Sequence, residues 1–334
     1  MKLIIPMAGM GKRMRPHTLT TPKPLIKVAG KSIVNWLIED IAAVCGDTIT
    51  DIGFVVGRFG DAVEKELIQI AESVGATGKI FYQDTAEGTG HAILCAKECL
   101  QGEVIVAFAD TLFRTNFNLD KSKDGVIWVH KVANPSSFGV IKFNQDNIIT
   151  DFVEKPTEFV SDLAIIGIYY FQSGETLHQE LQYLIDNDIR EKGEYQLTNA
   201  MENMKNKGMQ FVPGAVDEWL DCGNYSATVY TNQRVLENKS HLFNPQATSF
   251  GENVTIHPPC FIGENVSLNN CTIGPHTSIG NGTKVNNATI KNSIVQENCS
   301  IQNFNCQNSM IGNAVSIDGN SMEYSLSDFS TIGA

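Results

Sequence analysis

Four kinds of feature are missing from this 334-residue chain, and each absence closes off a class of function. No block of Lys and Arg occurs, and the formal net charge is -12, which argues against a surface built for nucleic acid or anionic lipid. No stretch approaches the roughly 20 apolar residues that a membrane-spanning helix needs. The opening M-K-L-I-I-P-M-A-G holds an apolar run too short for the hydrophobic segment of a signal peptide. The cysteines (Cys45, Cys95, Cys99, Cys222, Cys260, Cys271, Cys299, Cys306) include no C-x-x-C pair, so metal-ligand spacing is absent and reduced, scattered thiols are expected. Together these absences predict a cytoplasmic protein with no nucleic-acid and no membrane partner.

What is present is ordinary for a folded protein: 42% hydrophobic and 19% charged residues. The length exceeds what one core usually serves, so two domains are expected. Up to about residue 240, short apolar runs alternate with amphipathic segments. Leu3–Ile5, Ile52–Val56, Ile80–Gln83 and Val104–Phe108 read as strands. Helical spacing follows Ser32, a capping residue, at Ile33, Leu37, Ile41 and Val44, and recurs over Asp61–Ser73 and His91–Leu100. Such alternation predicts an α/β domain with a largely parallel sheet, whose ligands collect at the carboxyl ends of the strands.

Near Asn244–Pro245 the texture changes, and Asn, Gly, Ser and Thr separate isolated aliphatic residues. Ile256, Ile262 and Leu268 are six apart, as are Ile273, Ile279 and Val285, and then Ile311 and Ile317. A six-residue period marks a β-helix whose aliphatic residues point inward. The run over 245–320 resembles the hexapeptide-repeat left-handed parallel β-helix, with phase slips at Leu268→Ile273 and around Asn292–Asn308. Residues 321–334 read as a tail.

After the first strand comes M-A-G-M-G-K-R-M-R-P and then T-P-K-P-L. Gly9 and Gly11 let backbone amides approach an anion closely, Arg13 adds a planar phosphate donor, and Lys23 is a point charge braced by Pro22 and Pro24. This opening resembles the signature of the sugar-1-phosphate nucleotidyltransferase family, which includes glucose-1-phosphate thymidylyltransferases and uridylyltransferases. The resemblance covers the N-terminal two thirds and implies a Rossmann-like nucleotidyltransferase domain. It departs from the pattern at Met7, Ala8 and Lys12, where the loop acts through its backbone.

The resemblance also implies roles. Loop amides at Ala8, Gly9 and Gly11 would bind a nucleoside triphosphate, Arg13 would neutralise departing pyrophosphate, and Lys23 would contact phosphate. Asp110, ending V-I-V-A-F-A-D, and Asp221, in E-W-L-D-C-G, would hold magnesium, a cation that takes its remaining ligands from water and phosphate. Gln83 with Gly88 and Thr89 of E-G-T-G-H-A would read a pyrimidine. In P-S-S-F-G-V-I and V-E-K-P, Gly139 and Glu154 would meet sugar hydroxyls and Lys155 the sugar phosphate, with Trp219 lining the pocket. S-D-L-A-I-I-G-I-Y is similar to the thymidylyltransferase stretch, with Asp162 for Asn.

The expected activity is transfer of a nucleotidyl group from dTTP or UTP to a sugar 1-phosphate, glucose 1-phosphate favoured, by a homo-oligomer. Two alternatives stay open. One is an inactive regulatory or scaffold relative, which the presence of both lysines and both aspartates disfavours. The other is a bifunctional enzyme whose β-helix transfers an acyl group with His257 or His276 as base, for which the repeat is short.

Overall fold

A computed structural model describes residues 1–9, 11–46, 48–117, 119–243 and 250–319. The expected tail 321–334 and the texture change at Asn244–Pro245 lie outside these residues. By packing, the chain divides into two units: Met1–Ile26 with Ser32–Gly223, and Lys27–Lys31 with the residues from Asn224 onward.

The first unit is built on a nine-stranded sheet. Its Rossmann-like half places Val104–Ala107, Lys2–Pro6, Asp51–Val56 and Thr77–Tyr82 side by side and parallel. Leu3, Ile4 and Ile5 are all buried, as a strand covered on both faces requires. Leu163–Phe171 then runs antiparallel to Val104–Ala107 and to Gly125–Lys131, and the short strands Val140–Phe143 and Ile149–Val153 complete that edge. Helix Ile33–Cys45 starts where Ser32 accepts the Asn35 N–H and stops at Gly46 in the left-handed conformation.

Two elements differ from the sequence reading. The strand near residue 80 is Thr77–Tyr82, and Gln83 lies one residue past it, its N–H still donating to Val56. The helix read as His91–Leu100 begins at Thr89 and gives way after Cys95 to a tighter turn over Lys97–Cys99. Ala96 and Cys99 there bond three residues back instead of four, to Ile93 and Ala96.

The second unit joins helix Tyr225–Asn238 and the hairpin Lys27–Lys31 to a parallel β-helix. Buried Asn232 ties the three together: its Oδ1 accepts from the Ala29 N–H at 2.9 Å and from Ser278 Oγ at 2.6 Å. The hairpin is further held by Gln296, whose amide donates to the Lys27 carbonyl at 2.9 Å, and by a Lys27–Glu297 ion pair at 2.6 Å.

In the β-helix, Val254 pairs with Cys271 and Ser267 with Lys284, while Lys284 pairs with Ser300 and Ser300 with Ser316. Equivalent residues are therefore 17 apart in the first coils and 16 apart in the later ones. One side of each coil is a residue shorter than the hexapeptide period, and from Ile290 a second side shortens too. The step Leu268→Ile273 is such a shortening. Its two residues stay inside, and Leu268, Ile273, Ile279, Val285, Ile290, Val295 and Ile301 share one continuous buried core.

The asparagines are explained by the corners. Asn253, Asn270, Asn287 and Asn303 all have φ between 49° and 54°, a left-handed conformation that Asn tolerates better than other residues with a Cβ. They stack coil on coil, with Asn253 donating to Asn270 at 3.0 Å and Asn287 to Asn303 at 2.8 Å. Asn287→Val should destabilise the protein by about 1–2 kcal/mol, the cost of a β-branched residue in this conformation, while Asn287→Gly should stay much nearer wild type. Urea unfolding of the two variants checks the order.

Candidate active site

The carboxyl ends of the parallel strands gather the residues that the sequence marks out. The chain leaves Lys2–Pro6 with the Met7 N–H donating to Val55. It then enters the glycine loop, of which Met10 lies outside the described residues. Ala8, Gly9 and Gly11 border a cavity of about 330 Å³, together with Lys23, Gln83, Gly88, Thr89 and Asp110. Gly11 has φ 55°, and a side chain there would press within 3.1 Å of Lys23 and Thr18. Arg13 follows in the short turn Lys12–Met14, exposed, and its charge reaches Asp221.

Lys23 is fixed between two prolines, and its Nζ meets Asp110 Oδ2 at 2.7 Å. Asp221 arrives by strand pairing. Thr111–Arg114 runs antiparallel to Glu218–Asp221, with Thr111 opposite Asp221, and the Cys222 N–H donates to the Asp110 carbonyl at 2.9 Å. Asp221 Oδ1 accepts the Gly223 N–H at 2.8 Å. Burial, and then the charge of Asp110, raise the Asp221 carboxyl above its ordinary value; Lys23, the Gly223 N–H and Arg13 pull the other way. Among the described residues no three His, Cys, Asp or Glu side chains cluster as metal ligands.

On another wall, Thr89 Oγ donates to Gln196 Oε1 at 3.1 Å and accepts the Leu197 N–H at 3.0 Å. The Gln83 amide nitrogen lies 3.2 Å from the Gly88 carbonyl. Glu194, which also borders the cavity, accepts from the Gln196 amide at 2.9 Å. Nothing in the sequence singled out the G-E-Y-Q-L-T segment that supplies these partners.

Gly139, Glu154, Lys155 and Trp219 do not border that cavity and form a second group. Lys155 Nζ is 3.3 Å from Glu154 Oε1, the Lys155 N–H donates to Phe138 at 3.2 Å, and Lys192 donates to the Lys155 carbonyl at 3.2 Å. Gly139 backs onto Glu154: a methyl there would lie 3.1 Å from Glu154 Oε2. Trp219 stands edge-on to Phe138 with ring centres 4.9 Å apart, and its buried indole N–H has no hydrogen-bond partner among the described residues. Trp219 and Asp221 are two apart on one strand and so share a face, which links this group to the carboxylates. Thr198, whose buried hydroxyl also lacks a partner among the described residues, comes within 3.8 Å of where a Gly139 side chain would begin. Sequence reading missed it, because a lone Thr in a helix carries no signal.

The family described as nucleotidyl transferase matches residues 2–238, and the chain belongs to it. It is 30% identical over 274 residues to the bifunctional protein GlmU of Methanococcus vannielii, covering 80% of this chain and 62% of that one. It is 28% identical over 299 residues to a glucose-1-phosphate thymidylyltransferase of Streptomyces antibioticus, covering 82% and 81%. A bifunctional sugar-1-phosphate nucleotidylyltransferase/acetyltransferase of Sulfurisphaera tokodaii is 29% identical over 276 residues, covering 81% and 64%. The chain spans about half to three fifths of the GlmU relatives it matches. A solved UDP-glucose pyrophosphorylase complexed with UDP-glucose shares the fold, with a TM-score of 0.58 at 22% identity over 71% of this chain and 98% of that one. No helix among the described residues is long and apolar enough to cross a membrane.

The raised Asp221 carboxyl makes a signed prediction for the metal-free protein. Ionised Asp221 opposes folding, and that opposition vanishes below the unfolded value of about 4, where the group is protonated in both states. Asp221→Asn should therefore unfold at a higher temperature than wild type at pH 7 in a chelator, with the advantage shrinking as pH falls to about 4. Thermal scans across that range read the difference.

Proposed function

We propose that this chain transfers a nucleotidyl group from dTTP or UTP to a sugar 1-phosphate, glucose 1-phosphate favoured, releasing pyrophosphate. The observation that carries this reading is the Lys23–Asp110 contact of 2.7 Å, set at the glycine-loop cavity with Asp221 beside it. In this reading a sugar-phosphate oxygen attacks the α-phosphorus in line with the departing pyrophosphate. Both reactants are strongly anionic, so positive charge and alignment matter more than covalent chemistry. The amides of Ala8, Gly9 and Gly11 hold the triphosphate, Arg13 faces the departing pyrophosphate, and Lys23 shares its charge between Asp110 and phosphate. Gln83, Gly88 and Thr89 take the base. Gly139 and Glu154 take sugar hydroxyls, Lys155 the sugar phosphate, and Trp219 closes the sugar side.

The carboxylates fit magnesium. Burial, and after it the nearby charge of Asp110, raise Asp221, and a divalent cation held by both carboxylates would relieve the repulsion between them. When bound, the ion supplies positive charge to the triphosphate. The names of the relatives support the activity and leave the sugar and the base open.

Pyrophosphate release is to be measured for dTTP, UTP, ATP, CTP and GTP crossed with glucose, N-acetylglucosamine, galactose and mannose 1-phosphates. The highest turnover is expected for dTTP or UTP with glucose 1-phosphate. ATP or GTP outrunning both pyrimidines overturns the base assignment, and silence from every pair in folded protein with magnesium overturns the activity. Lys23→Ala and Arg13→Ala should each lower turnover by roughly 10²–10³, the scale of one preorganised electrostatic contact to a transition state. Asp110→Asn should do at least as much and flatten the magnesium response; a wild-type magnesium titration in that variant removes Asp110 from the metal site.

A second reading, acyl transfer by the β-helix, draws on the bifunctional relatives. Against it, His276 Nε2 is engaged by Glu237 at 2.9 Å, and His257 is exposed, with no side-chain partner among the described residues to orient it as a base.

A further inference from the structure

Gln83 offers one donating and one accepting group, and which of them faces a base decides which base fits. Its amide nitrogen lies 3.2 Å from the Gly88 carbonyl oxygen and 3.2 Å from His91 Nδ1. A carbonyl oxygen can only accept, so the Gln83 atom beside it is the NH₂ group, and the orientation of the amide is fixed. The contact to His91 is then a hydrogen bond only if Nδ1 accepts, which places the ring proton on Nε2. Nε2 faces the right surroundings for a donor: Glu87 Oε2 at 3.7 Å and Cys95 Sγ at 3.9 Å. Glu87 is itself held by the Arg190 guanidinium at 3.3 Å, and its carbonyl accepts the Tyr195 N–H at 2.8 Å. Both amide hydrogens of Gln83 are thus committed to Gly88 and His91, and Oε1 remains for the cavity that Gln83 borders.

We infer that His91 is a positioning residue that sets base selectivity, a conclusion that rests on the reading of Gln83 as the base contact. By accepting from the amide, His91 keeps Oε1 turned outward as an acceptor. Uracil and thymine present an N3–H donor to such a group, whereas cytosine presents a bare N3 and meets it acceptor to acceptor. A flipped amide, which would suit cytosine, forfeits the bond to Gly88 and, with the His91 ring proton on Nε2, the bond to His91 as well; without His91 it forfeits only the first. The histidine in G-T-G-H-A therefore acts on the nucleotide through Gln83 without touching it.

The test compares kcat/KM for CTP with that for the better of UTP and dTTP in wild type, His91→Leu, His91→Asn and Gln83→Ala. His91→Leu should reduce the preference against CTP by about tenfold, the scale of one hydrogen bond, with the KM for sugar 1-phosphate unchanged. His91→Asn, whose Oδ1 can take the place of Nδ1, should restore most of the preference, and Gln83→Ala should abolish it. A wild-type preference in His91→Leu beside a lost one in Gln83→Ala overturns the role of His91 alone. A loss in His91→Leu that Asn fails to restore assigns the effect to packing and overturns it too. An unchanged preference in Gln83→Ala, or a wild type that accepts CTP equally, overturns the base contact itself and this inference with it. Should His91→Leu fail to fold, His91→Phe keeps a ring without an acceptor and answers the same question.

Discussion

The placing of the two carboxylates in the first unit hangs on one strand register. Thr111 stands opposite Asp221, and through that pairing a carboxylate late in the chain is delivered beside one more than a hundred residues earlier. A slip of one residue would turn Asp221 and Trp219 together to the other face. The register is anchored at its far side by the Thr111 hydroxyl, which donates to the Ile166 carbonyl in the long strand Leu163–Phe171. Burial first, and then repulsion between the two acids, raise the Asp221 carboxyl. Lys23 answers part of that repulsion. The site is therefore electrostatically incomplete by construction, in the sense that a further positive charge lowers its energy.

The second unit solves a different problem with repetition. Each coil adds inward aliphatic residues to one shared core and turns at residues that adopt a left-handed backbone, and Asn at those corners meets both the steric demand and the need to bond to the next coil. Shortening one side, and later two, leaves the core intact because inward residues still stack on inward residues.

Much of this was legible in the residues. The parallel strands follow from buried apolar runs, the cap at Ser32 from its position before a helical period, and the β-helix from its spacing. What sequence could not supply was anything that depends on register between distant segments. The proximity of Asp110 and Asp221 came only from resemblance, since no local pattern encodes it. The segment Glu194–Thr198 was missed altogether, because its role is to bond to Thr89 and border a cavity built elsewhere. Likewise His91 reads as one more residue of a short helix until its ring is seen against Gln83.

The hairpin Lys27–Lys31 has a consequence for how the molecule comes into being. It belongs by packing to the second unit, yet its partners Gln296 and Glu297 follow some 270 positions later in the chain. Contacts of such separation close slowly, because a long loop must be gathered before they form. The buried Val28 and Ala29 therefore lack their final neighbours until those later residues have been made. The two units are interleaved in sequence, not strung in series, and a later stretch of chain completes an earlier one.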